Sequence, residues 1–422
     1  MASLTLWQQS EVVRKKTFPV WILKKFNVLT DLIKKGEVEQ IGERDFRIPF
    51  LKTYGGRVGA YNPQMGDMGR GTQPTGDKMI GSYFDLRMNF ELDMLAIKAT
   101  QDRKIALTDP FKDSVARGFY EFQLYMDKFY HSDGTALLAT ATAHSSSSGV
   151  SVYTLDNLFG AQRLRRGQYV GVYGASLTTL KSMNSLYITA VNTQARTITL
   201  SGVVPGAAAT DTFTFEGVSG NSPTGLRGIY YWINTATSGT TAQVDRALEP
   251  EIITNSVDAA LSPYIAEMPM ALHHRILMRR GEVPNGEMAI CSVGTQAAVY
   301  SNVMSIQRID LGGTKAQAVD RLPSLKGKDS FMWGNIPHMV DIHQDASRVD
   351  VFVAEEFGRA RLDEMKFFET PGTTQRFFPL YGASGAPAAG VWFGLTVDED
   401  LYHINPGNTG VITNLPRTGY YA

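Results

Sequence analysis

One cysteine, Cys291, stands in 422 residues, so the chain cannot close a disulfide on itself. No cysteine and histidine cluster has the spacing of a structural zinc site either, which leaves out disulfide-built and zinc-built secreted scaffolds. Charge is scarce as well: 19% of residues are Asp, Glu, Lys or Arg, against about 25% in an average soluble domain. The 41 cations balance 41 carboxylates to a net charge of zero, so the basic excess of a dedicated nucleic-acid binder is missing. A surface this large with so few charges is expected to be covered in part by other protein. Apolar runs break at a charge or a glycine well before the ~18 residues of a membrane span, and the first residues hold no apolar signal core. We therefore expect a protein that folds in the cytosol, outside any membrane. No repeat of about 20–50 residues occurs, which argues against solenoids and propellers.

What is there is 43% apolar residues in a 46.4 kDa chain, enough for a large core and for two or three domains. Residues 1–36 concentrate Arg14, Lys15, Lys16, Lys24, Lys25, Lys34 and Lys35 against Glu11 and Asp31, a net charge of +5. Trp7, Val12, Val13, Val20, Trp21, Ile22 and Phe26 are interleaved with these cations, so the segment is amphipathic. We expect an N-terminal arm, 1–45, that packs through Trp7, Trp21 and Phe26 on a neighbouring surface. Contact of Lys15, Lys16, Lys24 and Lys25 with nucleic acid is the alternative.

Residues 46–90 read as one long hairpin. Extended runs Phe46–Tyr61 and Ile80–Phe90 flank Asn62–Met79, where Gly66, Gly69, Gly71, Pro74 and Gly76 break regular structure and give a flexible tip. Such a hairpin has no core of its own and is expected to lie on another surface. Within 91–149, Asp109-Pro110 has the form of an N-cap followed by a first-turn proline. Phe111, Val115, Phe119, Phe122, Met126 and Phe129 recur at steps of three and four, predicting a helix to about Ser132, with Gly118 as its weak point.

His144, Ser145–Ser148 and Gly149 read as a linker. From 150 to 225, short β-type runs (Tyr169–Tyr173, Ser185–Val191, Thr197–Leu200, Thr212–Phe215) predict a small inserted β-barrel or sandwich. Residues 226–422 read as α+β. They offer a helix through Ile253, Val257, Ala260 and Leu261, a buried strand Met288–Val293, and a helix capped by Thr295 with Val299, Val303 and Ile306. Strands at Val349–Val353 and Gly390–Val397 follow.

Positive signs of catalysis are missing. Gly71–Gly76 has Walker A spacing, but Asp77 stands where a lysine must meet phosphate. His338, Asp341, His343 and Asp345 are the densest set of metal-ligand types, yet extended backbone aims His338 and His343 to opposite faces, and 333–337 reads as loop. A solvated loop is expected there, and a helix face for His273-His274. Cys291 lies in an apolar run and is expected to be a buried, inert thiol. No G-x-S-x-G elbow occurs, and Glu355-Glu356 and Asp398-Glu399-Asp400 read as solvated turns. We expect no enzyme, cofactor or metal.

The order of arm, glycine-tipped hairpin, long helix, β insertion and α+β region with a final strand resembles the major capsid proteins of tailed bacteriophages, the Hong Kong 97 type fold. The residues that carry the resemblance are Phe46–Phe90 as the extended loop, Pro110–Ser132 as the spine helix and Met288–Ile309 in the axial domain. Val349–Thr370 would return the chain to the peripheral domain, and Gly225-Leu-Arg-Gly-Ile229 looks like the re-entry after an insertion. The resemblance implies an α+β fold with peripheral and axial domains, 150–225 inserted and 226–422 completing both. It implies a virion structural protein assembling with itself into hexamers and pentamers of an icosahedral head around double-stranded DNA, built in the host cytoplasm. No scaffold-like domain of ~100 residues precedes the arm, so a separate scaffolding protein is implied. Portal and decoration proteins and the packaged DNA would be further partners. Alternatives are an encapsulin-like compartment shell and, from a different class, a carbohydrate-binding surface protein.

Overall fold

The structure, a computed structural model, describes residues 29–53, 73–93, 110–215, 225–233, 250–255, 264–280, 286–299, 330–381 and 387–416, with short gaps at 30–31, 35, 37, 41–44, 148, 157–160, 162, 176, 183–185, 370–375 and 377. It is mixed in class and made largely of strands. The chain divides into two compact units. A hairpin unit draws on Leu32–Tyr83, Arg227–Ala360 and Asp400–Ala422, and a barrel unit on Met1–Asp31, Phe84–Leu226 and Arg361–Glu399.

In the hairpin unit, β1 (Glu39–Gln40), β2 (Asp45–Thr53) and β3 (Thr75–Ser82) form a three-stranded sheet, with β2 and β3 antiparallel from Asp45↔Ser82 to Thr53↔Thr75. The expected hairpin is present, but its second strand stops at Ser82. In the barrel unit, β4 (Phe84–Asp93) pairs with β19 (Pro387–His403), from Phe84↔Glu399 to Asp93↔Gly390. The run Ile80–Phe90 is therefore two strands. Both keep a period of two, so alternation alone could not show the break at Tyr83. Gly76 is also corrected: it pairs with Leu51 inside β3 and is not part of the tip, because the ladder uses backbone groups that glycine retains.

The long helix α1 (Pro110–Tyr130, 21 residues) ends two residues before Ser132 and spans about 32 Å. Its predicted face is real at Phe122, Met126 and Phe129, all buried, while Phe119 is half-buried and meets Phe367 edge-on at 5.6 Å. Gly118 lies under Phe90 of β4, where an added Cβ would be 2.7 Å from the ring. The residue read as a weak point is the one that admits the strand.

Next come β5 (Leu137–Ser147), β6 (Val150–Leu155), β7 (Val170–Tyr173), β8 (Leu180–Ser182), β9 (Ile188–Asn192), β10 (Thr197–Leu200) and β11 (Thr212–Phe215), in the order β8-β7-β11-β5-β6-β10-β9. A Tyr169↔Tyr187 bridge and the bond from Gly167 N–H to Ile188 O (2.7 Å) join the β7 side to β9 and close a small barrel. Tyr153, Val172, Ile188, Ile198, Leu200 and Phe213 fill it. The linker reading of His144–Gly149 is overturned, since His144–Ser147 pair with Tyr153–Val150 and β5 begins at Leu137. Ser145 and Ser146 are exposed, so this end of β5 has no apolar face to betray a strand.

Back in the hairpin unit lie the short helix α2 (Ile229–Trp232), β12 (Glu251–Thr254), α3 (Glu267–Arg280), β13 (Glu287–Cys291), helix α4 at 293–299, β14 (Ser330–Trp333), β15 (Ile336–Val340), β16 (Val349–Val353) and β20 (Gly410–Thr413). The six strands are ordered β12-β20-β16-β13-β15-β14, and Leu272 and Ile276 of α3 join Ala289, Cys291, Val351 and Ile412 in their core. Ile253 belongs to β12, parallel to β20, and not to a helix. A four-residue strand whose partner lies near the far end of the chain leaves no local signal. Val257, Ala260, Leu261, Val303 and Ile306 lie outside the described residues. Ser292 caps α4 in place of Thr295, its Oγ accepting the Thr295 N–H at 3.0 Å. The expected loop at 333–337 is instead a tight turn: Gly334 and Asn335, at φ +57° and +64°, connect β14 to β15, as a two-residue type I′ hairpin demands. Finally β17 (Phe357–Phe367) and β18 (Phe378–Tyr381) flank β19.

Candidate functional site at the base of the hairpin

The β2–β3 pair is anchored at one end by a buried ionic contact. Asp400, one of three acids expected in a solvated turn, lies in β19 and is buried. Its Oδ1 accepts the backbone N–H of Arg227 at 2.9 Å, its Oδ2 accepts Arg227 Nε–H at 2.7 Å, and the Arg227 Nη2 donates to the same oxygen. Burial lifts the Asp400 carboxyl to about 6 although Arg227 pulls it down, because desolvation outweighs even a paired cation here. The guanidinium carbon lies 5.7 Å from the Tyr231 ring and 5.8 Å from Trp232. Trp232 in turn donates Nε1–H to the Leu401 carbonyl at 3.0 Å.

The hairpin rests on this platform. An added Cβ at Gly81 would lie 2.4 Å from Arg227 Nη2 and 2.3 Å from Phe46 Cζ, so only glycine lets β3 cross here. Phe46 then meets Tyr83 at 5.1 Å and Tyr402 at 6.3 Å between ring centres. Farther along β3, Gly76, Lys78 and Ile80 are exposed, and Ile80 keeps 49% of its surface in water. The arrangement holds an extended strand pair by its root and leaves an apolar residue uncovered on it. That is the geometry of a contact element.

The other sequence candidates are accounted for by packing. His338 is buried in β15: its Nε2 lies 2.6 Å from Tyr264 OH, its Nδ1 2.8 Å from the Ile336 carbonyl, and burial lowers its pKa to about 4. Asp341 and His343 are buried too, with the His343 N–H donating to Asp341 Oδ1 at 2.8 Å. The solvated-loop reading was wrong because β13 and β15 pair in parallel and carry this segment into the core. No group of three or more His, Cys, Asp or Glu among the described residues could hold a metal ion. Cys291 is buried, and both burial and the Asp341 charge push its thiol pKa up. Glu399 is buried in the barrel unit, accepting hydrogen bonds from Tyr130 OH and from Arg361 Nε at 2.7 Å. Trp7, Trp21, Phe26, Lys15, Lys16, Lys24, Lys25, Gly66, Gly69 and Gly71 lie outside the described residues, and of the candidate contact residues only Gly76 is placed. Sequence reasoning missed Arg227 and Asp400 as a pair, since nothing local links positions so far apart.

No protein-family model and no curated protein matches the sequence. Among solved structures, a chain of the cyanophage A-1(L) capsid asymmetric unit is 11% identical with a TM-score of 0.54, over 96% of this chain and 98% of that one. A Mycobacterium phage Bobi chain is 9% identical at a TM-score of 0.45, over 98% and 99% of the two chains. A chain of the capsid of a native GTA particle is 10% identical at 0.45, over 95% and 94%. The first of these shows the fold. This chain has, over nearly its whole length, the architecture of that capsid chain.

Proposed function

We propose that this chain is the major capsid protein of a tailed bacteriophage, of the Hong Kong 97 type, assembling with itself into hexamers and pentamers of an icosahedral head around double-stranded DNA. The observation that carries this reading is the end-to-end match to the cyanophage A-1(L) capsid chain, which covers 98% of that chain. In this reading β2–β3 is the extended loop, α1 the spine helix, the six-stranded sheet the axial domain, and the barrel an insertion. Low charge at zero net charge supports it, since many like subunits can adjoin without accumulated repulsion. The role is structural and not enzymatic. A scaffolding protein, the portal, decoration proteins and packaged DNA are the partners that go with it, and the host cytoplasm is the place of assembly.

Expression of the full chain, alone and with a candidate scaffolding protein, followed by electron microscopy, tests this. Closed shells or capsomers are the expected result. A protein that stays a monomer of 46.4 kDa under both conditions overturns it.

A further inference from the structure

In the barrel unit, the last turn of α1 carries Lys128, whose residue is 4% exposed. Among the described residues its ammonium makes one hydrogen bond, to the Arg163 carbonyl at 3.0 Å, although it has three N–H donors. The cations around it are many. Arg163 is buried in the same place, and Lys128 Nζ and Arg165 Cζ lie 5.0 and 5.8 Å from the centre of one ring, Tyr125. The carboxylate of Glu121 opposes these cations and stands 3.9 Å from Arg165. In the same loop Gln168 Oε1 accepts the Arg165 N–H at 3.1 Å, which leaves Gln168 Nε2 buried with no acceptor. The Lys128 ammonium and the Gln168 amide thus keep donors to spare beside the charge of Arg165. A buried ammonium without an anion is costly.

We propose that the last turn of α1 and the 163–168 loop form a seat for a phosphate group, held by Lys128, Arg165 and the Gln168 amide. Phosphate offers several acceptor oxygens and the charge this cluster lacks, and it suits both the Arg165 fork and the point charge of lysine. The inference does not depend on the capsid reading. Burial and the two arginines already lower Lys128 to about 7, so near neutrality much of it is uncharged in the empty seat. An arriving oxyanion favours the ammonium, and binding takes up a proton.

The test uses the full chain with inorganic phosphate, and with sulfate, which does not titrate near neutrality, for the proton count. Calorimetry in two buffers of different ionisation heat should give binding with proton uptake at pH 7.5. In Lys128→Met affinity should fall about tenfold or more and the uptake vanish. Met keeps the volume and removes a buried charge, so this variant should fold, and Arg165→Gln, at a half-exposed position, should weaken binding independently. Competition by duplex DNA would identify the seat's ligand as backbone phosphate; phosphate binding that DNA leaves untouched would identify free phosphate. The proposal is overturned if wild type binds neither anion, or if Lys128→Met binds as wild type does with the same proton uptake.

Discussion

Asp400 takes two parts of one residue: its Oδ1 meets the main-chain N–H of Arg227 at 2.9 Å and its Oδ2 the side-chain Nε–H at 2.7 Å. The backbone contact fixes where the chain re-enters the hairpin unit, and the fork fixes the guanidinium beside which Gly81 passes. Lysine could not reproduce the fork that meets Asp400. Arg227→Ala strands a buried carboxylate and should cost about 3–5 kcal/mol in denaturant melts.

The pH dependence of this pair has a definite sign. Asp400 is raised from 3.8 to about 6 in the folded state. Between those values the native protein holds the proton more readily than the unfolded chain does, so this residue makes stability rise as pH falls, and its burial penalty is complete above pH 6. Asp400→Asn removes the titration. The stability of the variant minus that of wild type should therefore climb from pH 4 to about 6, by up to ~3 kcal/mol, and stay level to pH 7.5. A difference independent of pH would show that Asp400 does not titrate in this window.

Gly118→Ala sets two effects against each other. Helix propensity favours alanine by about 1 kcal/mol, but the new Cβ would meet the Phe90 ring at 2.7 Å, and overpacking costs about 1–3 kcal/mol. Phe90 is stacked on Phe393 at 5.1 Å and has little freedom to retreat. A net loss of stability is expected, and thermal melts of the variant against wild type decide it. A gain would mean that the ring yields easily.

What could be read from the sequence was what repeats over short distances. The spacing of Phe122, Met126 and Phe129 gave α1 its buried face, and the alternation around Leu86 gave a strand. Pairing over long distances was illegible. Nothing near Ile253 tells of β20, and nothing near Asp400 tells of Arg227, so by sequence a buried strand end reads as a solvated turn. His338 misled for the same reason: Asp341, His343 and Asp345 follow it closely, while its burial comes from its pairing with a strand elsewhere in the chain. The hairpin is legible because its two arms are close in sequence and Gly66, Gly69 and Gly71 fall between them. The turn at Gly334-Asn335 does carry a local signal, positive-φ residue types side by side.

The barrel yields a prediction about boundaries. We propose that 136–225 folds by itself, whereas 150–225 does not. The shorter piece lacks β5, which stands between β11 and β6 and pairs with both. Without it the barrel opens and Tyr153 and Phe213 lose their cover. Expressed separately, the longer segment should melt cooperatively with a β-type circular dichroism spectrum, and the shorter should show neither. Two identical cooperative melts would place β5 outside the folding unit.

The last prediction concerns the hairpin and the basic arm as assembly elements. β3 leaves Ile80 and Lys78 in water while its root is fixed at Gly81, so contacts on its outer part cost the subunit's own fold little when they are lost. Deleting residues 62–72, with Gly66, Gly69 and Gly71, should leave the melting temperature within a few degrees of wild type and abolish closed shells. Removing residues 1–28, which stops short of the buried Leu29 and Ile33, should do the same if Trp7, Trp21 and Phe26 pack on a neighbour. If Lys15, Lys16, Lys24 and Lys25 bind nucleic acid instead, salt separates the cases. Phosphate contacts weaken steeply as counterions compete, whereas apolar packing does not. Hydrogen exchange compared between free and assembled protein measures both segments directly. Protection that rises on assembly supports the contact role, and protection equal in the two states refutes it.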